Sequence, residues 1–166
     1  MQRALTLRPK ALTREAFQPY GEVIQSEGAH SYKINRGATL RIHDLCKVHV
    51  KARGRVLVSF FEALETVSLP FRLGLLECHP LGSQAFIPRG HVPFLIVVAA
   101  PGDVPEAGRL QAFVSDGVQG VNYAPGVWHL PLASFELGNF LIIDRGGPGD
   151  NLREYDLSAE GIVVAN

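Results

Sequence analysis

Three side chains that can transfer protons or bind a metal ion, Glu77, His79 and His129, stand at two distant places in the chain. Glu77 and His79 follow the apolar segment FRLGLL, at the start of ECHPLGSQAFIP. His129 comes fifty positions after His79 (129 − 79), behind a Pro-Gly turn in GVNYAPGVWH. A carboxylate and two imidazoles could serve as general acid and base, or could hold a divalent metal ion.

The environment of Glu77 depends on the strand that the alternating leucines before it predict. Successive side chains of a strand point to opposite faces, so Phe71, Leu73 and Leu75 would share a face with Glu77 and His79. If that face points inward, Glu77 must be paired, hydrogen-bonded, metal-bound or protonated, because an unpaired buried carboxylate is costly. The residues alone leave a second interpretation open, in which both side chains lie at a solvated rim.

The distribution of glycine and proline along the chain predicts many strands and few helices. Glycine and proline together number 28 (17 + 11) and separate short apolar segments. We predict one short helix that Thr13 caps and QPYG ends, and a tail from Leu152 that forms a short helix or covers an edge. The predicted strands are Glu22–Gln25, Leu40–Val50, Val56–Ala63, Phe71–His79, Gln84–Pro88, Phe94–Ala100, Leu110–Ser115 and Phe140–Asp144. We expect one β-rich domain over residues 1–166.

Composition limits the classes of partner. Sixteen basic residues balance sixteen acidic ones, so no overall field attracts nucleic acid or an anionic membrane, although a local arginine could still bind a small anion. The longest apolar run, PFLIVVAAP, is far shorter than the roughly 20 residues of a membrane helix. Cys46 and Cys78 form no disulfide framework, and MQRALTLRPK has no apolar core of signal-peptide length. We therefore expect a cytoplasmic protein with a small-molecule substrate and no nucleic-acid or membrane partner.

The Pro-Gly turn before His129 resembles the second motif of cupins, which are small β-barrels. In this resemblance Glu77 stands at the first histidine position of the first motif and His79 at the second. Gln84 stands near the acid position, and His129 takes the position in the second motif. The resemblance implies an all-β, cupin-like double-stranded β-helix or barrel with one or two short helices, in which two of the four usual ligands are altered.

Five segments spread over nearly the whole chain carry a longer resemblance. In chain order they are LTREAFQPYGEVI, RIHDL, HPLGSQAFIP, GVQGVNYAPGVWHLPL and FLIIDRGG. In their order and spacing they resemble the ureidoglycolate lyase family, whose members act in allantoin and purine breakdown. The resemblance implies a cupin-like homodimer, and a carbon–nitrogen lyase of the amidine-lyase type that forms glyoxylate and urea by acid–base elimination.

This reaction assigns roles to the candidate residues. A base must take the proton of the substrate hydroxyl, and an acid must protonate the departing nitrogen. We predict Glu77 or His79 as the base and His129 as the acid. Asp144 could orient a histidine or pair with the neighbouring arginine. The predicted substrate-binding residues are Arg41, Gln84, Tyr123 and Arg145. The guanidinium groups of Arg41 and Arg145 would each be able to bind the substrate carboxylate bidentately.

Four alternatives remain at this point. A divalent metal ion could bind Glu77, His79 and His129, with Gln84 as a weak fourth contact. The enzyme could instead release ammonia by hydrolysis, or be an oxygenase-type cupin that depends on a metal. The protein could also be a non-catalytic cupin that binds a small carboxylate. The run FLIVVAA would tolerate burial on both faces, which together with the family predicts a homodimer.

Overall fold

The computed structural model describes residues 5–166, and strands form most of its regular structure. The fold class is mainly β, as predicted. One α-helix, α1 (Arg14–Phe17), and four 3-10 turns (Gln18–Tyr20, Asn35–Gly37, Ala107–Arg109 and Ser158–Glu160) complete it. The strands are β1 (Thr6–Leu7), β2 (Lys10–Ala11), β3 (Gly21–Ile24), β4 (Ser31–Ile34), β5 (Thr39–Ile42), β6 (Arg55–Ala63), β7 (Phe71–Arg72), β8 (Leu75–Cys78), β9 (Gln84–Pro88), β10 (Phe94–Ala99), β11 (Gln111–Val114), β12 (Gly120–Tyr123), β13 (Trp128–His129), β14 (Ala133–Ser134), β15 (Gly138–Gly146), β16 (Arg153–Asp156) and β17 (Val163–Val164).

Two large sheets pack face to face around the main apolar cluster. The first sheet has the order β16-β8-β13-β10-β11-β2, with β14 also paired to β10, and the second has the order β3-β12-β9-β15-β6. Side chains from both sheets meet between them, among them Ile96 and Phe94 from β10, Phe86 from β9 and Phe140 from β15. Two facing sheets with a shared interior are consistent with the cupin-like barrel that the resemblance implied.

A second apolar cluster covers the other face of the first sheet. Leu95 and Val97 of β10 pack there against Leu76 and Cys78 of β8, beneath residues near the C-terminus. Phe94–Ala99 of FLIVVAA is thus buried on both faces by this chain's own two clusters, and Ala100 is exposed. Because β10 is hydrogen-bonded on both sides, to β11 and to β13 and β14, it offers no free edge to a second copy.

The short helix forms where the sequence predicted it. The Thr13 hydroxyl accepts a hydrogen bond from the Ala16 backbone N–H at 3.2 Å, which caps the first turn. Phe17 anchors the helix in the main cluster. Pro19 lies in the 3-10 turn that follows, and Gly21, with φ of 145°, leads into β3.

Two of the predicted strands are shorter than expected. Only Leu40–Ile42 of the segment Leu40–Val50 is in a strand, β5, and Asp44 adopts the left-handed region with φ of 54°. Phe71–His79 is interrupted between β7 and β8. Leu73 therefore packs in the second cluster and Phe71 against it, so the prediction that these two share a face with Glu77 is wrong. An interruption of a strand resets the alternation of its side chains.

The tail covers an edge instead of forming an α-helix. Strand β16 pairs antiparallel with β8, and β17 pairs with β1 and β7. Between them lies the 3-10 turn Ser158–Glu160. The C-terminal segment thus closes the second cluster and completes one side of the strand that carries Glu77. Within residues 5–166 no helix is both long and apolar enough to cross a membrane.

Candidate active site

The register of two strand pairs brings five predicted site residues together. Strand β13 runs antiparallel to β8 and sets His129 directly opposite Glu77. The rings of His79 and His129 are 5.3 Å apart between centroids. In the facing sheet, β12 pairs with β9 and sets Tyr123 opposite Gln84. Backbone pairing between segments distant in sequence therefore assembles the cluster.

A cavity of about 920 Å³ opens in front of this cluster. The side chains of Glu77 and His79 keep 17% and 15% of their surface exposed, so both face the cavity floor, whereas His129 is only 1% exposed and lies behind them. The remaining wall is largely apolar. The lining residues are Phe60, Phe61, Glu62, Ala63, Leu64, Glu65, Glu77, His79, Gln84, Phe86, Pro131, Leu132 and Leu152.

The carboxylate of Glu77 lies between the two imidazoles. Its Oε1 atom is 3.5 Å from Nε2 of His129 and 3.7 Å from Nε2 of His79. Burial alone would raise the pKa of Glu77, but the hydrogen bonds and charges of His129 and His79 outweigh burial and lower it to about 2. Glu77 is therefore an ionised carboxylate at neutral pH.

His79 is held through one ring nitrogen and presents the other to Glu77. Its Nδ1 is 2.7 Å from the carbonyl oxygen of Asn151. A carbonyl oxygen only accepts, so Nδ1 carries the hydrogen. In the neutral ring Nε2 then has a free lone pair, and this atom has no hydrogen-bond partner among residues 5–166. Burial lowers the pKa of His79, but the contacts with Glu77 and Asn151 outweigh burial and raise the pKa above its ordinary value.

His129 is packed on one face and contacted at both nitrogens. The ring of Tyr123 stacks on it, with centroids 4.1 Å apart and planes 10° apart. Nδ1 lies 3.0 Å from the carbonyl oxygen of Val127, and Nε2 lies 3.1 Å from Oε1 of Gln84. Burial outweighs the contacts with Glu77 and Val127 and lowers the pKa of His129 below its ordinary value.

Tyr123 lies behind His129 and does not line the cavity. Its hydroxyl is buried and has no hydrogen-bond partner among the described residues, and burial, followed by the charge of Glu77, raises its pKa far above the ordinary value. The structure therefore gives no support to a direct contact between Tyr123 and a substrate. The stacking indicates instead that it orients the His129 ring.

Neither predicted carboxylate clamp reaches the cavity. Arg145 is 5% exposed, and its Nε donates to the carbonyl of Lys51 at 2.8 Å, while Nη2 donates to those of Ala52 at 3.1 Å and Pro148 at 2.6 Å. Arg41 is exposed on β5, 6.0 Å from the centre of the Tyr32 ring. None of the described residues that line the cavity is Arg or Lys.

Sequence reasoning missed two features of the site. Asn151 supports it twice, because its carbonyl holds His79 and its Oδ1 accepts from the Leu81 N–H at 2.8 Å. The aromatic wall of Phe60 and Phe61 belongs to β6, which was predicted as a strand without a role in the site. A loop that follows a glycine-rich turn carries no periodic signal, so only the structure brings Asn151 to His79.

The comparison with known proteins agrees with the segments named above. A sequence model described as Ureidoglycolate lyase matches residues 4–164. The chain belongs to the ureidoglycolate lyase family. The family member named ureidoglycolate lyase from Burkholderia mallei (strain NCTC 10229) is 49% identical over 154 residues, which span 92% of this chain and 89% of that protein. Those from Pseudomonas syringae pv. syringae (strain B728a) and Pseudomonas putida (strain W619) are 46% and 44% identical, and the matches span 98% and 97% of this chain and 95% and 97% of those proteins.

In this member of the ureidoglycolate lyase family, the two most specific segments of the resemblance supply all of the five clustered residues except Glu77. HPLGSQAFIP begins with His79 and supplies Gln84 at the start of β9. GVNYAPGVWHLPL supplies Tyr123 from β12 and His129 from β13. The family segments therefore correspond to the strands that meet at the cavity.

The donor set of this family member fits a metal ion only in part. One ligand atom from each of Glu77, His79 and His129 lies within 4.8 Å of the others. His79 suits a metal ligand, because its Nδ1–H donates to a carbonyl and leaves Nε2 free. At His129, however, Nε2 faces Oε1 of Gln84, which only accepts. The other ring nitrogen, Nδ1, faces the carbonyl oxygen of Val127 at 3.0 Å, which also only accepts. A hydrogen on Nδ1 would leave Nε2 free to bind a metal ion, whereas a hydrogen on Nε2 would block that position.

Proposed function

We propose that this protein is a ureidoglycolate lyase, a carbon–nitrogen lyase of the amidine-lyase type, which cleaves ureidoglycolate to glyoxylate and urea. Membership of the family and the names of the relatives support this function. The observation that carries the mechanism is the position of the Glu77 carboxylate between the Nε2 atoms of His79 and His129, 3.7 and 3.5 Å away, at a cavity floor.

The reaction needs two proton transfers and no water. A base takes the proton of the substrate hydroxyl, and the O–H electron pair forms the carbonyl of glyoxylate. The carbon–nitrogen bond then breaks, and its electron pair takes a proton from an acid to give urea. Each proton transfer by a positioned side chain typically contributes about 10²–10⁴-fold to the rate.

His79 suits the role of base. In the neutral ring its Nδ1–H is committed to Asn151, so Nε2 has a free lone pair, on an atom buried at the cavity floor that faces Glu77. Its raised pKa makes it a stronger base than a free imidazole. Glu77, with a pKa of about 2, is a weak base at neutral pH but a good counter-charge for the imidazolium that forms.

The proton for the departing nitrogen comes in this proposal from His79, which holds the proton that it took from the substrate hydroxyl. Burial lowers the pKa of His129, so its ring is neutral at neutral pH and cannot give a proton to a carboxylate whose pKa is about 2. The acid role predicted for His129 therefore passes to His79, and Glu77 balances the charge of the imidazolium. Gln84 lines the cavity and could bind the hydroxyl or urea group of the substrate.

The products test this function directly. Incubated with racemic ureidoglycolate, the protein is expected to form glyoxylate and urea in equal amounts without ammonia. Treatment with a chelator should leave the rate unchanged, since the proposed steps use side chains alone. Ammonia release would indicate the hydrolase alternative, and activity that is lost on chelation and restored by one divalent ion would indicate the metal-dependent alternative. Tight binding of substrate without any glyoxylate would favour a non-catalytic binding protein.

The contact between Glu77 and His79 predicts how the His79 ring titrates. Glu77 raises the pKa of His79 because its negative charge favours the protonated ring. The neutral amide of Glu77→Gln removes that charge, so His79 should lose its proton at lower pH than in the wild type. NMR titration of the His79 ring measures this shift, and Glu62→Gln, at the cavity rim, is the matched control. An unchanged or higher midpoint in Glu77→Gln would contradict the assignment.

The proposed homodimer rests on β6 and not on β10. Strand β6 lies at the edge of its sheet, pairs with β15 on one side, and carries exposed Val58 and Phe60, which keep 68% and 59% of their surface. Exposed apolar residues beside an unpaired edge favour association. Sedimentation at micromolar concentration should give a dimer, and Val58→Lys should give a monomer. A wild-type monomer would contradict the proposed homodimer. The proposed location of the dimer is the cytoplasm.

A further inference from the structure

We propose that Asp144 is a positioning residue that fixes the side-chain amide of Gln84 and thereby keeps a hydrogen on Nε2 of His129. The inference deepens the proposed function and rests on it for the meaning of that hydrogen, which faces the Glu77 carboxylate that balances the charge of protonated His79. The Asp144 carboxylate contacts the Gln84 amide, and this amide contacts the His129 imidazole. These contacts are observed whether or not the proposed function is correct.

Asp144 determines which way the amide of Gln84 faces. Its Oδ2 atom lies 3.3 Å from Nε2 of Gln84. An ionised carboxylate only accepts hydrogen bonds, so the amide nitrogen and not the amide oxygen must face it. The reversed amide would set two oxygen atoms against each other in a half-buried position. Asp144 has no other side-chain hydrogen bond among the described residues, and its Oδ1 is buried without a partner.

The fixed amide decides where His129 carries its hydrogen. With Nε2 of Gln84 turned to Asp144, Oε1 of Gln84 faces Nε2 of His129 at 3.1 Å. The carbonyl of Val127 faces the other ring nitrogen, Nδ1, at 3.0 Å. Two acceptors thus compete for the single hydrogen of a neutral ring, and a protonated ring satisfies both. The carboxylate of Asp144 shifts this competition toward Nε2, because it prevents the amide of Gln84 from turning.

This arrangement explains two properties of the site. Nε2 lies 3.5 Å from Oε1 of Glu77, so a hydrogen on this nitrogen faces the carboxylate and favours its ionised form. The same hydrogen removes the lone pair that a metal ion would require. Without Asp144, the amide could rotate and present its N–H₂ group to His129, whose hydrogen would move to Nδ1 and bond Val127. The ring would then face Glu77 with a lone pair in place of a proton.

The ring nitrogens of His129 can be read directly by ¹H–¹⁵N NMR of the folded full-length protein, with the signal assigned by its loss in His129→Gln. In the wild type at a pH where the ring is neutral, we expect the hydrogen on Nε2. In Asp144→Leu, which removes the acceptor, we expect it on Nδ1, and in Asp144→Asn, whose amide permits both orientations, we expect a mixture. Asp103→Asn, at an exposed carboxylate, should match the wild type.

Kinetics give a second readout that a structural role alone would not reproduce. Asp144→Leu should lower kcat about 10²-fold, the low end of the range for one proton transfer, with KM changed less than about threefold, since Asp144 does not line the cavity. A hydrogen that stays on Nε2 in folded Asp144→Leu would overturn the inference. If the wild type forms no glyoxylate, the proposed function fails, whereas the NMR result still decides whether Asp144 sets the hydrogen of His129.

Discussion

Replacing His79 with alanine is expected to lower kcat for glyoxylate formation about 10²–10⁴-fold, because the proposed base is lost. The substitution removes an imidazole from the floor of an open cavity, where it keeps 15% of its surface exposed. The vacated space faces solvent, so imidazole added to the buffer can enter it. Added imidazole should therefore restore part of kcat, in proportion to its concentration and with a pH dependence that follows the free base.

The controls for this variant separate the base from its neighbours. His91→Ala, at an exposed loop position, should keep wild-type activity, and the unfolding temperature of His79→Ala should remain close to that of the wild type. Glu77→Gln should also lose activity, but without recovery in imidazole, because an added base cannot replace the carboxylate between the two rings. Rescue of Glu77→Gln but not of His79→Ala would show that Glu77 is the base.

Replacing Arg145 with alanine is expected to lower the free energy of unfolding by about 3 kcal/mol, because it removes three hydrogen bonds worth about 1 kcal/mol each. The guanidinium donates to the carbonyls of Lys51, Ala52 and Pro148. These bonds tie the end of β15 to two loops that no strand pairing holds. The loss corresponds to a fall in unfolding temperature of about 6–12 °C.

The same variant tests the role that the sequence predicted for Arg145. Chemical denaturation gives the stability change, with Arg55→Ala on exposed strand β6 as the matched control. Arg145→Lys should be intermediate, because an ammonium group keeps the charge but cannot reach three carbonyls at once. If Arg145→Ala kept its stability and raised KM more than tenfold, Arg145 would be a substrate clamp and the structural interpretation would be wrong.

The amino-acid sequence determined the chemistry of the site and most of the strands around it. Thr13 and QPYG fix the limits of the helix through local hydrogen bonds and proline geometry, and Gln84–Pro88 forms the strand that was predicted. Glu77, His79, Gln84 and His129 were recognised because their segments resemble a family whose motifs are specific. Signals of this kind are local, so they can be read without knowledge of the fold.

Alternation failed where the chain departs from a regular strand. The left-handed conformation of Asp44 ends one predicted strand early, and the break before Leu75 changes the face on which Leu73 lies. The substrate-binding roles predicted for Arg41 and Arg145 have no support in the structure, for a related reason. A guanidinium can bind a substrate carboxylate or backbone carbonyls equally well, and only the position of Arg145 between two loops decides between them.

The tertiary structure alone decided how the candidate residues act on one another. Antiparallel pairing of β8 with β13 sets His129 opposite Glu77, and the facing sheet brings Gln84 against His129 and Asp144 against Gln84. These contacts join residues that are 45 to 60 positions apart. The sequence determined which groups can donate and accept protons. Their distances, burial and hydrogen positions follow from strand register, because register fixes which side chains meet across two packed sheets.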